Sequence, residues 1–357
     1  MRGATTLLAI ISGLSGSYIQ ASSAAPTPVA TSGAGDLFEN IWENLVETGK
    51  DIIGGDNPST SKGSKSLSTP TSINIKPTIE PNTNQCKALD PKLLPKILYF
   101  AEFAAAAYCD PNHVVGTEVT CAGGVCPEIT TNNITTILEF ANTQDADTTG
   151  LVARDDTVKS IVISIRGSSS LRNWLANIQA KLKKVPEICP GCEVHSGFYE
   201  AMQEALPAVV KSVEELKREN PGYTVVVVGH SLGGAIATLM AEEIRRGGVE
   251  VDLYTFGAPR IGNEELSTFI SKSGTNFRVT HTVPRLPPVI LGYQHISPEY
   301  WISKGDTNIS ATDIQIFEGG INTGGNSNGP ISLNIPAHSH YLLPVEISSC
   351  APSGFEF

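Results

Sequence analysis

The chain has 357 residues, enough for one large domain with appendages or for two modest domains. Hydrophobic residues make up 40% of it, as expected of a globular protein. Its 36 acidic against 25 basic side chains leave a net charge of -11, which argues against a nucleic-acid partner and against electrostatic docking on anionic membranes.

Read from the N-terminus, Arg2, an apolar run from Leu7 to Leu14 and small residues from Ala21 to Ala25 predict a secretory signal over residues 1–25. The run is too short to cross a bilayer, and no later segment reaches about 18 apolar residues, so no transmembrane anchor is expected. Residues 26–85 are rich in Ser, Thr, Pro, Gly and Asn and read as a propeptide or disordered linker. One amphipathic helix interrupts them: Asp36 and Glu39 resemble a helix start, and Leu37, Ile41 and Leu45 then recur on one face. A free helix of that length is marginal in water, so docking on another surface is expected.

Residues 86–357 read as one α/β domain. Leu93 to Cys109 is an Ala-rich apolar helix; Ser160 to Ile165 is a β-branched strand, and Ala201 to Asn220 a helix. Tyr223 to Val228 predicts a strand, Ala235 to Arg246 a helix closed by Gly247-Gly248, and Val249 to Phe256 and Phe277 to Thr282 two further strands. Continuous Val/Ile runs separated by helices predict a mostly parallel central sheet buried on both faces and flanked by helices.

Seven cysteines suit an oxidising destination. Cys121 and Cys126 are close in sequence, as are Cys189 and Cys192; Cys109 and Cys350 lie far apart, and Cys86 is left over. The Cys189–Cys192 pair has the spacing of a redox or metal motif, but no second pair or histidine cluster completes a zinc set. A structural bridge is the expectation, and no metal or cofactor is expected. Asn133 and Asn308 open Asn-x-Ser/Thr glycosylation sequences.

The chemistry concentrates at Gly229-His-Ser-Leu-Gly233, which joins a buried strand directly to an amphipathic helix with Ile236, Leu239, Met240 and Ile244 on one face. That setting predicts a nucleophile elbow: a tight strand-to-helix turn that lifts the Ser231 hydroxyl above the sheet, with helix N–H groups aimed at developing negative charge. Serine needs a base to take its proton, and in this fold order the histidine comes last. His338 and His340 both qualify, and spacing alone does not choose between them.

Several blocks then carry a resemblance: Ala107-Tyr-Cys109, Arg166-Gly-Ser168, Asn173-Trp174, Val228 to Gly234, Phe256-Gly-Ala-Pro-Arg260, Val283 to Pro288 and Pro298-Glu-Tyr-Trp301. Through them the chain from about residue 86 resembles the filamentous-fungal class 3 triacylglycerol lipases, α/β-hydrolases with a helical lid over the active site. The resemblance implies a secreted, monomeric, cofactor-free serine esterase that hydrolyses acylglycerols at a lipid–water interface. It favours His338 as the base, since the family's histidine precedes a tyrosine by three residues, as His338 precedes Tyr341. It implies bridges Cys109–Cys350, Cys121–Cys126 and Cys189–Cys192, and oxyanion donors at Ser168 and at the backbone N–H of Leu232. Leu171, Trp174, Leu175 and Ile178 share one face at helical spacing and match the lid. Related feruloyl esterases share the fold but have a more polar lid.

One departure bears on activity. The family carries its triad aspartate in a loop reading roughly His-Thr-Asn-Asp-x-Val-Pro, whereas this chain reads His281-Thr282-Val283-Pro284. Three residues are absent, the acid among them, and no Asp or Glu occurs from Leu266 to Pro298. Glu264, Asp306 and Asp313 flank the gap. Two readings follow: an impaired relative that still binds lipid, or a full lipase whose complete sequence restores the three residues.

Overall fold

A computed structural model describes residues 86–109, 114–141, 148–168, 180–281, 285–304, 309–327 and 335–351. All of them belong to the second of two compact units, Ser72–Phe357. The expected signal, the propeptide helix, the lid residues Leu171, Trp174, Leu175 and Ile178, the loop residues 282–284, Asp306 and Asn308 lie outside the described residues.

The elements that hold the site come from the middle of the chain. Strands β4 (Ser160–Ile165), β7 (Thr224–His230), β8 (Val251–Phe256), β9 (Thr275–Thr280) and β10 (Glu299–Ile302) run parallel, in that order across the sheet. Antiparallel strands extend both margins: β3 (Gly150–Asp155) and β2 (Ile134–Phe140) beyond β4, β11 (Ile314–Phe317) and the short β1 (Lys87–Ala88) beyond β10. The sheet is therefore parallel where it carries the site and antiparallel at its edges. A separate hairpin pairs β5 (Leu182–Lys184) with β6 (Glu193–His195).

Both faces of the parallel centre are dry. Ile161, Ile163, Val225, Val227 and Leu253 pack under helices α3 (Ser196–Glu219), α4 (Leu232–Arg246) and α5 (Glu264–Ser273). Their neighbours Val162, Val226, Val228, Tyr254 and Phe256 point the other way, onto helix α1 (Leu94–Ala106). This period-two alternation between two covered faces is why these strands read as unbroken Val/Ile runs. Helix α1 starts with a proline in its first turn, where the missing N–H costs nothing. Its run of alanines lets it lie close on the strands, and Ser164 donates from β4 to the carbonyl of Phe103 at 2.7 Å.

Two shorter helices complete the set, α2 (Pro127–Thr131) and α6 (Ile335–Ser339). The buried carboxylate of Glu102 in α1 accepts from the backbone N–H groups of Glu128 and Ile129 at 2.8 and 3.0 Å, and so caps α2 from another helix. Three disulfides join Cys109 to Cys350, Cys121 to Cys126 and Cys189 to Cys192, while Cys86 is free and exposed. The first ties the end of α1 to the chain beyond α6, across a sequence separation of 241. Asn133 is exposed just ahead of β2. Among the described residues no helix is long and apolar enough to cross a membrane, and no cluster of His, Cys, Asp or Glu has the grouping of a metal site.

Candidate active site

Strand β7 ends at His230, and α4 begins at Leu232, so Ser231 alone makes the turn. Its backbone angles are φ 55° and ψ -126°, in a region where a β-carbon is strained. The turn is held from outside: Ser231 N–H donates to Phe256 O at the end of β8 (2.9 Å), and Gly234 N–H returns to Ser231 O (2.9 Å). A β-carbon on Gly233 would collide with the carbonyl of Ile165 and lie 2.7 Å from the carbonyl carbon of Arg166. Glycine there lets the elbow approach the end of β4, where Arg166, Gly167 and Ser168 follow directly. The Ser231 hydroxyl is buried and has no hydrogen-bond partner among the described residues.

Of the two late histidines, His338 is buried and His340 half-buried. His338 lies in α6, over the exit of β8. A β-carbon at Gly257, whose φ is +63°, would lie 2.8 Å from His338 Cε1 and would collide with the Tyr341 hydroxyl. Gly257 follows Phe256, the residue that accepts from Ser231 N–H, so Ser231 and His338 are gathered around one strand end. The imidazole of His338 also meets the Tyr341 ring edge-on, with centroids 6.1 Å apart. Tyr341 is fully buried, and its hydroxyl accepts from the backbone N–H of His281. Tyr341 thus does more than mark a spacing: it pins the loop after α6 to the end of β9.

The residue preceding Ser231 reaches the His338 segment directly. His230 Nδ1 lies 2.8 Å from the hydroxyl of Tyr108, and Nε2 lies 2.8 Å from the main-chain carbonyl of His338. Complete burial pushes its imidazole down to about 4, so it is neutral near neutral pH. In the sequence His230 and Tyr108 stand out only as members of matching blocks. The signal available was the coincidence of those two polar residues with otherwise apolar surroundings.

Among the described residues, the acids near the loop after His281 are committed elsewhere or exposed. Glu299, fully buried, accepts from Thr280 Oγ1 at 2.6 Å and from Asn322 Nδ2 at 2.9 Å and pairs with Arg278 at 3.4 Å. Arg260 caps the carbonyls of Arg285 and Pro287, which fixes the proline-rich run after the gap. Asp313 accepts from Ser310 in a capping turn, and Glu264 is exposed at the start of α5. His195, His281 and His295 are buried; His195 caps α3 by accepting from Phe198 N–H at 3.3 Å.

A strained serine between a parallel strand and a helix, with a histidine from the end of the chain, defines an α/β-hydrolase. The lipase (class 3) family matches residues 162–291. A secreted mono- and diacylglycerol lipase 1 of Fusarium solani is 39% identical over 263 residues, covering 71% of this chain and 77% of that protein. The secreted mono- and diacylglycerol lipase A of Penicillium cyclopium is 35% identical over 275 residues, covering 74% of this chain and 90% of the relative. The crystal structure of a mono- and diacylglycerol lipase from Aspergillus oryzae superposes with a TM-score of 0.68 at 37% identity, over 72% of this chain and 98% of that one. The chain belongs to the class 3 lipase family and is a carboxylic ester hydrolase.

Proposed function

We propose that this protein is a secreted acylglycerol lipase in which Ser231 attacks the ester carbonyl and His338 takes its proton. The observation that carries the assignment is the convergence of the strained Ser231 turn and the buried His338 on the end of β8. His338 would act first as base and then as acid toward the leaving glycerol oxygen, through an acyl-enzyme. Ser168 and the Leu232 N–H would donate to the oxyanion, a contribution of about 2.7–4 kcal/mol per donor in enzymes of this kind. A fluorophosphonate probe should label Ser231; His338→Ala should abolish labelling and His340→Ala should not. Equal loss from both substitutions would overturn the choice of His338.

The named substrates of the relatives point to partial glycerides, so mono- and diacylglycerols are proposed as substrates beside triacylglycerols. Leu171, Trp174, Leu175 and Ile178 are proposed as the apolar face of a lid that opens at the lipid–water interface. Burying each such side chain is worth roughly 1.5–3 kcal/mol, so opening in plain water costs several kcal/mol that a lipid surface offsets. Rates on emulsified mono-, di- and triolein should exceed those on feruloyl methyl ester. They should also rise as a short triglyceride passes its solubility limit, and Trp174→Ala should blunt that rise. A faster rate on the feruloyl ester with no interfacial jump would favour the aryl esterase instead. The shortened loop after His281 supports a second element of the proposal: as written, the chain binds lipid but turns over slowly.

A further inference from the structure

We propose that His230 is a positioning residue, whose imidazole, oriented by Tyr108, fixes the main chain of His338 and so the geometry of attack by Ser231. The proposal rests on the reading of Ser231 and His338 given above. It starts from the direction of each hydrogen bond. A carbonyl only accepts, so the His230 nitrogen facing His338 O at 2.8 Å, Nε2, must carry a proton. In the neutral ring Nδ1 is then bare, and the Tyr108 hydroxyl 2.8 Å away must donate to it. The same phenol oxygen accepts from the backbone N–H of Gly167, the residue before Ser168. The relay thus runs one way only, from Gly167 through Tyr108 and His230 to His338. It links the oxyanion block, the end of α1, the elbow and α6.

Both side chains are nearly solvent-free, His230 at 0% and Tyr108 at 1% exposure, so water does not replace a lost partner. Burial also keeps His230 neutral, which preserves the single acceptor that Tyr108 needs. An aspartate normally orients the histidine of such a pair through its ring. Where that acid is missing, a restraint on the histidine's main chain gains weight, because main-chain drift swings the ring. Displacements of about 1 Å from productive geometry cost about 10²-fold in rate.

The test uses the purified full chain and measures the fluorophosphonate labelling rate of Ser231, kcat and KM on p-nitrophenyl butyrate, and Tm. His230→Leu should slow labelling and kcat by about 10²-fold while KM stays within about twofold. His230→Gln, which keeps an N–H for the His338 carbonyl, should recover most of that loss, to within about tenfold of the parent. Tyr108→Phe should fall between the two, and its effect should vanish in the His230→Leu background, the mark of a shared path. Tyr99→Phe removes a different buried hydroxyl from α1; it should lower Tm and leave labelling unchanged. Tyr108→Phe labelled at the parental rate would overturn the proposal even if His230→Leu does not fold. So would His230→Gln as slow as His230→Leu at equal Tm. If the parent chain is not labelled at Ser231 at all, the site reading itself fails and the positioning role falls with it.

Discussion

Ser231 occupies backbone angles that cost of order 1–3 kcal/mol for a residue with a side chain, and Gly229, Gly233, Gly234 and Gly257 make room around it. Gly257→Ala tests that crowding: its new methyl would lie 2.8 Å from His338 Cε1, so labelling of Ser231 should fall at least tenfold with a modest loss of Tm. The triad acid that the family resemblance leads one to expect after His281 is the other question at this scale. Inserting Asn-Asp-Ile between Thr282 and Val283 should raise turnover by about three to four orders of magnitude, since loss of the triad acid typically costs about 10⁴. Asn-Asn-Ile should restore loop length without the rate. Full family-like turnover by the unmodified chain would instead mean that another acid serves His338. Glu299 is a poor substitute, since Thr280, Asn322 and Arg278 already hold its carboxylate.

Among the elements, β4, β7 and β8 and helices α1, α3 and α4 were legible because burial on both faces leaves an unbroken apolar run. The marginal strands were not. Strand β10 contains Glu299, whose buried charge is paired across to Arg278 on β9, a contact that no local pattern announces. Strand β2 changes register between Thr136 and Leu138, which breaks the alternation a strand search relies on. The elbow could be read because strand, turn and helix are consecutive. The Tyr108–His230–His338 relay could not, because its members are separated by 122 and 108 residues. At the turn following Pro288, Ile290 is 74% exposed, and a β-carbon on Gly292 would lie 3.9 Å from Leu182 of β5. A single exposed apolar side chain is ordinary on a protein surface, but at the tip of a turn in a protein proposed to act at a lipid–water interface it is a contact that can be tested. Ile290→Asp should weaken adsorption to a triglyceride emulsion while leaving kcat on a soluble short ester unchanged; unaltered adsorption would remove this turn from the lipid-facing surface.

For the molecule as a whole, two buried groups tilt the pH dependence of stability in opposite directions. Burial raises Glu102 from 4.5 to about 7, so the folded state holds a proton that the unfolded chain releases. Its contribution to stability is therefore lost as pH rises from about 4.5 to about 7. His230 falls from 6.5 to about 4, so the unfolded chain takes up the proton first, and stability is lost as pH drops through that window. Glu102→Gln, whose amide oxygen can still accept from Glu128 and Ile129 N–H, should remove the first slope and raise Tm above pH 7 relative to the parent. His230→Gln should remove the second and flatten the acid side. Melting curves from pH 4 to 8 distinguish the two, and a profile unchanged in either variant would exclude that residue as the source.

The disulfide between Cys109 and Cys350 also sets a timetable. Along the chain His338 follows His230 by 108 residues, and Cys350 follows later still. Until that bond closes, the segment carrying His338 is not tied to the end of α1 beside Tyr108. Cys350→Ser should accordingly give a protein that reaches the medium poorly and whose Ser231 reacts slowly with the probe. The elbow strand and helix would by then be built, which protection of the Val225–Val228 amides from hydrogen exchange would register.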